Sequence, residues 1–431
     1  MTRARRYLIA AVAVLLAALA LVAALHRGGD RVARIDRALA KAGRYLVAKQ
    51  SSDGAWRSEV YGALRPGPAL TSYAMSSLFF MPQAGAEAQA AYRKGAEYLA
   101  GFVDAEGRLK LAPRELSYPV YTAASAARVV VLQERSPRTL QAQAAWLAYL
   151  RARQLNESLG WSPEDPEYGG WGFSLEPPRK PAEGQPRDMF VESNLSATVF
   201  GLAALRSAKA PPGDPAYRQV LTFAMRCQNL PDDPGRGDPA FDDGGFFFLP
   251  GDAAQNKAGV AGTDRLGRQR FRSYGTMTAD GLRILLRCGL PGDHPRVVAA
   301  RAWLLRHFDP ANNPGEFPAD RAVLQNATYY YWTWAMAHTL LALRTEGGDR
   351  DPALVDIAAR LVDELLRRQA DDGSWVNRFT DAKEDDPLVA TPWAAAALAI
   401  CRSVLTDENP TLANPGGAPP AGAAPHGKPH P

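Results

Sequence analysis

Gly43-Arg-Tyr-Leu-Val-Ala-Lys-Gln50-Ser-Ser-Asp53-Gly54-Ala-Trp56 and Leu365-Leu-Arg-Arg-Gln369-Ala-Asp-Asp372-Gly373-Ser-Trp375 carry one pattern near opposite ends of the chain. In each, a helix ends in Gln, a Gly turn follows, and a Trp closes the turn. A small-residue apolar helix comes next, Thr71–Phe80 after the first and Thr391–Ile400 after the second. Self-similarity at long period decides architecture before any local reading does.

Four weaker copies lie between. Gln154 leads to Gly170-Trp171 and the helix Asn194–Leu205. Gln228 leads to Asp243-Gly244-Gly245-Phe246 and Thr276–Cys288. His307 leads to Gly315-Glu-Phe317 and Tyr330–Leu343. The most degraded copy runs from Ala91–Phe102 through Gly107-Arg-Leu109 to Tyr121–Gln133. The first helix of each pair is amphipathic, with Arg44, Lys49, Arg360 and Arg367 on charged faces. The second is Ala, Leu, Thr and Ser with few charges, and a helix apolar nearly all round is a buried one. Such a unit cannot bury its apolar face alone, so neighbours must share a core. Six helical hairpins closing on themselves, charged helices outside, predict an all-α (α/α)6 toroid.

One repeat system predicts one large domain over residues 31–408. Its 46% hydrophobic and 22% charged residues suit a globular protein. The net charge of +5 is spread along the chain without a basic block among aromatics, which excludes a nucleic-acid partner. Residues 1–30 stand apart. Arg3, Arg5 and Arg6 precede an uncharged apolar run from Tyr7 to Leu25. About 20 such residues span a bilayer core. The positive flank stays cytoplasmic, so this reads as an N-terminal membrane anchor holding the bulk of the chain on the extracytoplasmic side, the periplasmic face of a bacterial inner membrane. A cleaved signal peptide, with Ala18-Leu-Ala20 as the cleavage motif, is the rival reading. Residues 409–431 are Pro, Gly, Ala and His without periodicity and read as a disordered tail. Cys227, Cys288 and Cys401 are too few for a disulfide framework and read as small buried hydrophobes.

The repeated Gln-to-Gly-x-Trp signature resembles the squalene cyclase and prenyltransferase repeat superfamily, the terpenoid cyclase toroids. Gly43, Tyr45, Gln50, Gly54 and Trp56, then Leu365, Gln369, Gly373 and Trp375, match the cyclase form of the repeat, and Asp242-Asp-Gly-Gly-Phe246 is similar to the prenyltransferase form of the turn. The resemblance covers about residues 35–405. It implies a squalene cyclase-like isomerase or a relative of one, with a polyprenyl or triterpene-type ligand in a central cavity. It also implies that the Gln and Trp residues are structural.

Several family elements are missing. Cyclases that start by protonation carry Asp-x-Asp-Asp at the mouth of an inner helix. The counterpart by context is Val191-Glu-Ser-Asn-Leu-Ser-Ala-Thr198, where Glu192 is the one carboxylate. The zinc-holding Asp and Cys of prenyltransferases would need Asp280 and Cys288, which lie more than two turns apart, with His338 on another helix. No metal and no cofactor are therefore expected. The thioester element Cys-x-x-Gln is absent at all three cysteines.

In such a toroid the cavity opens where the inner helices begin. The polar and aromatic residues there include Tyr118, Tyr121, Glu192, Asn194, Arg272, Tyr274, Asp280, Asn326, Tyr329 to Trp332 and Trp393. Asp385 and Asp386 also fall at this mouth, and Asp280, Glu192 and Asp386 are the candidate acids. Tyr274, Tyr330, Trp332, Asn194 and Trp393 are the candidate ligand-binding residues. An aromatic wall with few polar groups suits an isoprenoid chain, and aromatic faces stabilise carbocations. Asp385 and Asp386 follow Glu384 in what reads as a solvated charge run. The segment 231–272 is long enough to lid the cavity. Two other classes stay open: a non-catalytic, membrane-tethered scaffold binding protein or lipid, and a polysaccharide-active toroid needing two carboxylates across a cleft.

Overall fold

The computed structural model describes residues 29–81, 85–111, 116–185, 191–232 and 237–408. The segment 7–25 read as an anchor and the tail 409–431 lie outside the described residues.

Six helices form an outer layer: α1 (29–48), α3 (Gly85–Ala100), α5 (Pro137–Arg151), α7 (Pro215–Arg226), α9 (Pro295–His307) and α12 (Pro352–Arg368). Six form an inner layer: α2 (Pro68–Phe79), α4 (Pro119–Val129), α6 (Leu195–Ser207), α8 (Gly275–Arg287), α11 (Tyr329–Thr345) and α13 (Pro387–Thr406). The short helix α10 (Ala322–Ala327) precedes α11, and one two-stranded hairpin, β1 (Val260–Thr263) with β2 (Gln269–Phe271), sits between α7 and α8. Each inner helix packs on the next, α2 on α4, α4 on α6, α6 on α8, α8 on α11, α11 on α13, and α13 back on α2. The expected (α/α)6 toroid is the observed fold. Helix α13 is long and apolar enough to cross a membrane, yet most of it is buried inside this ring.

Local sequence starts the helices. Asp214, Asp351 and Asp386 accept the N–H two residues on, and the Pro that follows each occupies the first helical position. The missing Pro N–H would have been unpaired there in any case, and its fixed φ suits the first turn.

The repeated signature closes the ring. Trp56, Trp171 and Trp375 are fully buried, and their indole N–H groups donate to Leu46 O (2.7 Å), Leu150 O (2.8 Å) and Leu365 O (2.8 Å). The backbone N–H of each donates to a Thr near the start of the following inner helix: Thr71, Thr198 and Thr391. Gln50 Nε2 bridges Gly54 O and Ala91 O of the next outer helix, both at 2.8 Å. Gln369 does the same to Gly373 O (3.0 Å) and Ala38 O (2.9 Å), and Ala38 lies in α1, so the last unit is tied to the first. Gly373, at φ +93°, lies so close to α1 that a Cβ there would meet the Lys41 carbonyl at 2.6 Å. Only glycine meets both demands at that position.

The inner helices run parallel, so their dipoles add. Arg128, Arg206, Arg287 and Arg344 stand in the last turns of α4, α6, α8 and α11. Arg206 Nη1 donates to Arg287 O (3.0 Å) and Arg344 Nη1 donates to Val404 O. Cations there answer the partial negative charge of the C-termini. The opposite end of the ring presents N-termini.

Candidate active site in the central cavity

A cavity of 510 Å³ opens at that N-terminal end. Aromatic side chains are the largest group in its wall. Tyr73 comes from α2, Tyr121 from α4, Phe200 from α6, Tyr331 from α11 and Trp393 from α13, with Tyr118, Phe173 and Phe248 from loops. The rings pack on one another: Trp393 lies 4.8 Å from Tyr73 and 5.5 Å from Tyr331, and Phe200 stacks on Trp334 at 5.4 Å. Ring-to-ring contacts of this kind stabilise the wall beyond the area they bury.

Under the floor lies a buried ion pair. Asp280 Oδ1 accepts from Arg283 Nη2, and Asp280 Oδ2 accepts the Tyr331 hydroxyl at 2.6 Å. Ser196 Oγ sits 2.8 Å from the same hydroxyl. Asp280 and Arg283 are both almost wholly excluded from solvent. Burial pushes the Asp280 carboxyl up, while Arg283 and the Tyr331 hydroxyl pull it back. Arg283 lies over the Trp334 ring at 4.6 Å. Asp280 thus reaches the cavity only through Tyr331, and its carboxylate oxygens are committed to that network.

Two carboxyls line the cavity, the exposed Asp381 and Glu384, which is only 1% exposed. Its Oε2 accepts from Tyr330 N (2.9 Å) and Asn377 Nδ2 (3.0 Å), and its Oε1 from Tyr331 N (2.8 Å). It therefore caps α11 from another loop, supplying acceptors where the break at Thr328 leaves amides free. Burial pushes its carboxyl up to about 7 against these three donors. At the rim, half-buried Lys257 has its ammonium 5.3 Å from the Phe248 ring, and burial lowers its pKa against the attraction of Asp381. Lys383 lies over the Tyr61 and Tyr118 rings. Neither lysine has a carboxylate within ion-pair distance among the described residues.

The expected site residues separate into two groups. Trp393 lines the cavity. Asn194 is buried beside it, its Oδ1 shared by the cap to Ala197 N (2.8 Å) and the Tyr121 hydroxyl (3.3 Å). Asp280 lies beneath the floor. Tyr274, Tyr330 and Trp332, expected as lining residues, are not in the wall. Tyr274 packs edge-on against Phe317 at 5.8 Å, and its backbone pairs with Gly315. Tyr330 turns toward Val376 O (3.3 Å) and Trp332 toward Asp309 O (3.3 Å), both on the outer-layer side of α11. On a helix, adjacent residues point in different directions, so Tyr331 alone of this aromatic run reaches the wall. Glu192 is half-buried and is not in the wall either.

The acidic run read as solvated is largely buried: Glu384 at 1%, and Asp386 at 3% while accepting the Ser58 hydroxyl. Asp385 accepts from Tyr61 OH at 2.6 Å. Segment 231–272 contributes Phe248, Ala254, Gln255 and Lys257 to the wall, while its β-hairpin stands apart from it. Tyr73 and Phe200 carry a sequence signal of their own: each is a large aromatic set within a helix otherwise made mostly of small residues. Glu384 carries none, because only the fold brings it to the α11 N-terminus. Among the described residues no three His, Cys, Asp or Glu side chains converge as metal ligands. His338 is wedged between Phe80 and Trp334, and burial holds its imidazole neutral.

The fold has known company. A variant of the type II terpene cyclase MstE from Scytonema, in complex with geranylgeranyl dihydroxybenzoate, superposes with a TM-score of 0.53 at 13% identity, over 87% of this chain and 99% of that one. Cellobiose 2-epimerase from Spirochaeta thermophila matches at 0.54 and 12% identity, over 87% and 98%. An unsaturated glucuronyl hydrolase specific for heparin matches at 0.53 and 12%, again over 87% and 98%. No protein-family model and no curated protein matches the chain. The protein is an α/α toroid, the architecture that terpene cyclases share with carbohydrate-active enzymes. The likeness to terpenoid cyclases read from the repeats holds at the level of the fold.

Proposed function

We propose that this toroid takes an isoprenoid chain into its central cavity as a terpenoid cyclase-like protein. The observation that carries the reading is the wall itself: eight aromatic side chains around 510 Å³, with Glu384 as its one buried charged group. An apolar pocket with few polar groups selects an apolar body. The unpaired ammonium groups of Lys257 and Lys383, set where parallel helix N-termini converge, favour a chain that ends in an anionic head. A glycosidase-like reading is weaker. Asp381 and Glu384, the carboxylates in the wall, come from one short loop rather than from opposite sides of a cleft.

For chemistry on the chain, Glu384 is favoured as the acid over Asp280 and Glu192. It is in the wall, its pKa lies near neutrality, and the carboxylate left after proton transfer would keep three N–H donors. Asp280 is held by Arg283, and Glu192 lies outside the wall.

We also infer an extracytoplasmic location, from Arg3, Arg5 and Arg6 before the apolar run. The α1 turn at Gly54–Trp56 is at the cavity end, so the start of α1 is about 30 Å away at the other end of the ring. An anchor joined there would leave the mouth facing away from the bilayer.

Fluorescence titration of the detergent-extracted protein with geranylgeraniol, geranylgeranyl phosphate and cellobiose tests the binding claim. Both isoprenoids should saturate, and Trp393→Ala and Phe200→Ala should each weaken them about tenfold, a loss of about 1.4 kcal/mol. Saturation by cellobiose alone would reject it. Product analysis with Glu384→Gln tests the acid: binding should persist while conversion stops.

A further inference from the structure

Behind the Glu384 wall lies a second cleft of 380 Å³ on the outer-layer side. It is built from the loop after α9, the C-terminal turn of α12 and residues 376–379. Three guanidinium groups line it. Arg367 and Arg368 share one carboxylate, Glu364, at 2.6 Å each. Arg378 has no carboxylate partner among the described residues, and its guanidinium rests on the Phe379 ring at 4.8 Å. The cleft therefore carries more positive than negative charge. One neutral group in it is also unsatisfied: Asn326 Oδ1 is buried without a hydrogen-bond donor, although Asn326 Nδ2 is spent on Asn312 Oδ1 at 2.9 Å. A buried acceptor left unpaired is a cost that an incoming donor relieves.

We propose that this cleft is an accessory site for an oxyanion on a hydroxyl-bearing carrier, such as a sugar phosphate or a glycerol phosphate. Guanidinium forks match the paired oxygens of phosphate. A carrier hydroxyl supplies the donor that Asn326 Oδ1 lacks once the half-buried Asn326 side chain turns that oxygen toward the cleft. The site is separate from the central cavity but joined to it. Asn377 Nδ2 donates both to Asn326 O (2.7 Å) on the cleft side and to Glu384 Oε2 (3.0 Å) on the cavity side. Occupancy of the cleft thereby bears on the orientation of the cavity carboxyl.

The test is calorimetric titration of the full-length, detergent-extracted protein with glycerol 3-phosphate, glycerol and sulfate. Sulfate carries the charge without the hydroxyl, and glycerol the hydroxyl without the charge. Glycerol 3-phosphate should saturate and bind about tenfold more tightly than sulfate, with no heat from glycerol. Arg378→Ala and Arg367→Ala, both at exposed side chains, should each weaken it about tenfold with unchanged melting temperature. Lys257→Met, at the cavity rim, should leave it unaltered. Equal affinity for sulfate and glycerol 3-phosphate, no saturation into the millimolar range, or a loss confined to Lys257→Met would each overturn the assignment. None of these results depends on whether the central cavity binds an isoprenoid.

Discussion

The loop between α12 and α13 holds two short stretches that behave differently. Gln369 to Trp375 repeats a pattern found elsewhere in the chain, and each of its key groups is engaged by backbone: Gln369 on Ala38 O, Gly373 against Lys41, Trp375 on Leu365 O. Asp381 to Glu384 repeats nothing and faces the cavity. The same division holds around the ring. What recurs in this chain ties outer helices to one another, and what does not recur builds the mouth. A repeated residue must serve at several places and so can only answer a geometric need that those places share. The mouth has one centre, to which each unit contributes a different side chain.

The largest expected effect lies on the border between the two. Asp280→Asn strands the buried Arg283 guanidinium and should cost about 3–5 kcal/mol in urea unfolding. A loss below about 1 kcal/mol would mean that the pair is not structural and would return Asp280 to the list of acids. Next is the titration of Glu384. Its carboxyl is raised from the ordinary 4.5 to about 7, so the folded state holds the proton over a range where the unfolded state has lost it. Stability is then full below about 4.5 and falls as pH rises through 7, by roughly 3 kcal/mol in all. Glu384→Gln should flatten that fall. An equally steep profile in the variant would assign the titration elsewhere.

On the repeat side, Gly373→Ala combines a left-handed φ with backbone overlap at Lys41 and should cost about 2–3 kcal/mol. It should leave isoprenoid affinity intact at temperatures where the protein is folded. If affinity drops instead, the turn and the mouth are coupled and the division fails. The smallest effect belongs to Glu192→Gln, within about 0.5 kcal/mol in stability and without change in ligand binding, because this half-buried side chain stays out of the wall. A loss of binding there would restore Glu192 to the site.

Legibility followed the same line. All six hairpins could be read, three from the full Gln, Gly and Trp spacing and three from degraded copies that keep the Gly turn before a small-residue helix, down to inner-helix starts within a few residues. Of the site, Trp393, Tyr118, Tyr121 and Tyr331 were legible as aromatics before inner helices. Tyr274, Tyr330 and Trp332 share that context, and only the rotation of each helix about its axis separates them from Tyr331. Glu384 was illegible for a different reason. A carboxylate in a Lys-Glu-Asp-Asp run reads as solvated until the fold supplies the α11 amides it caps. Lys257 likewise gains meaning only when its loop reaches the cavity wall.

The measurement that tests the central claim most directly is native mass spectrometry of the detergent-extracted protein, comparing wild type with Phe200→Ala and Gly373→Ala. Wild type and folded Gly373→Ala should carry an isoprenoid, and Phe200→Ala should lose or exchange it. Empty wild-type protein, or the same bound species in all three, would contradict that claim.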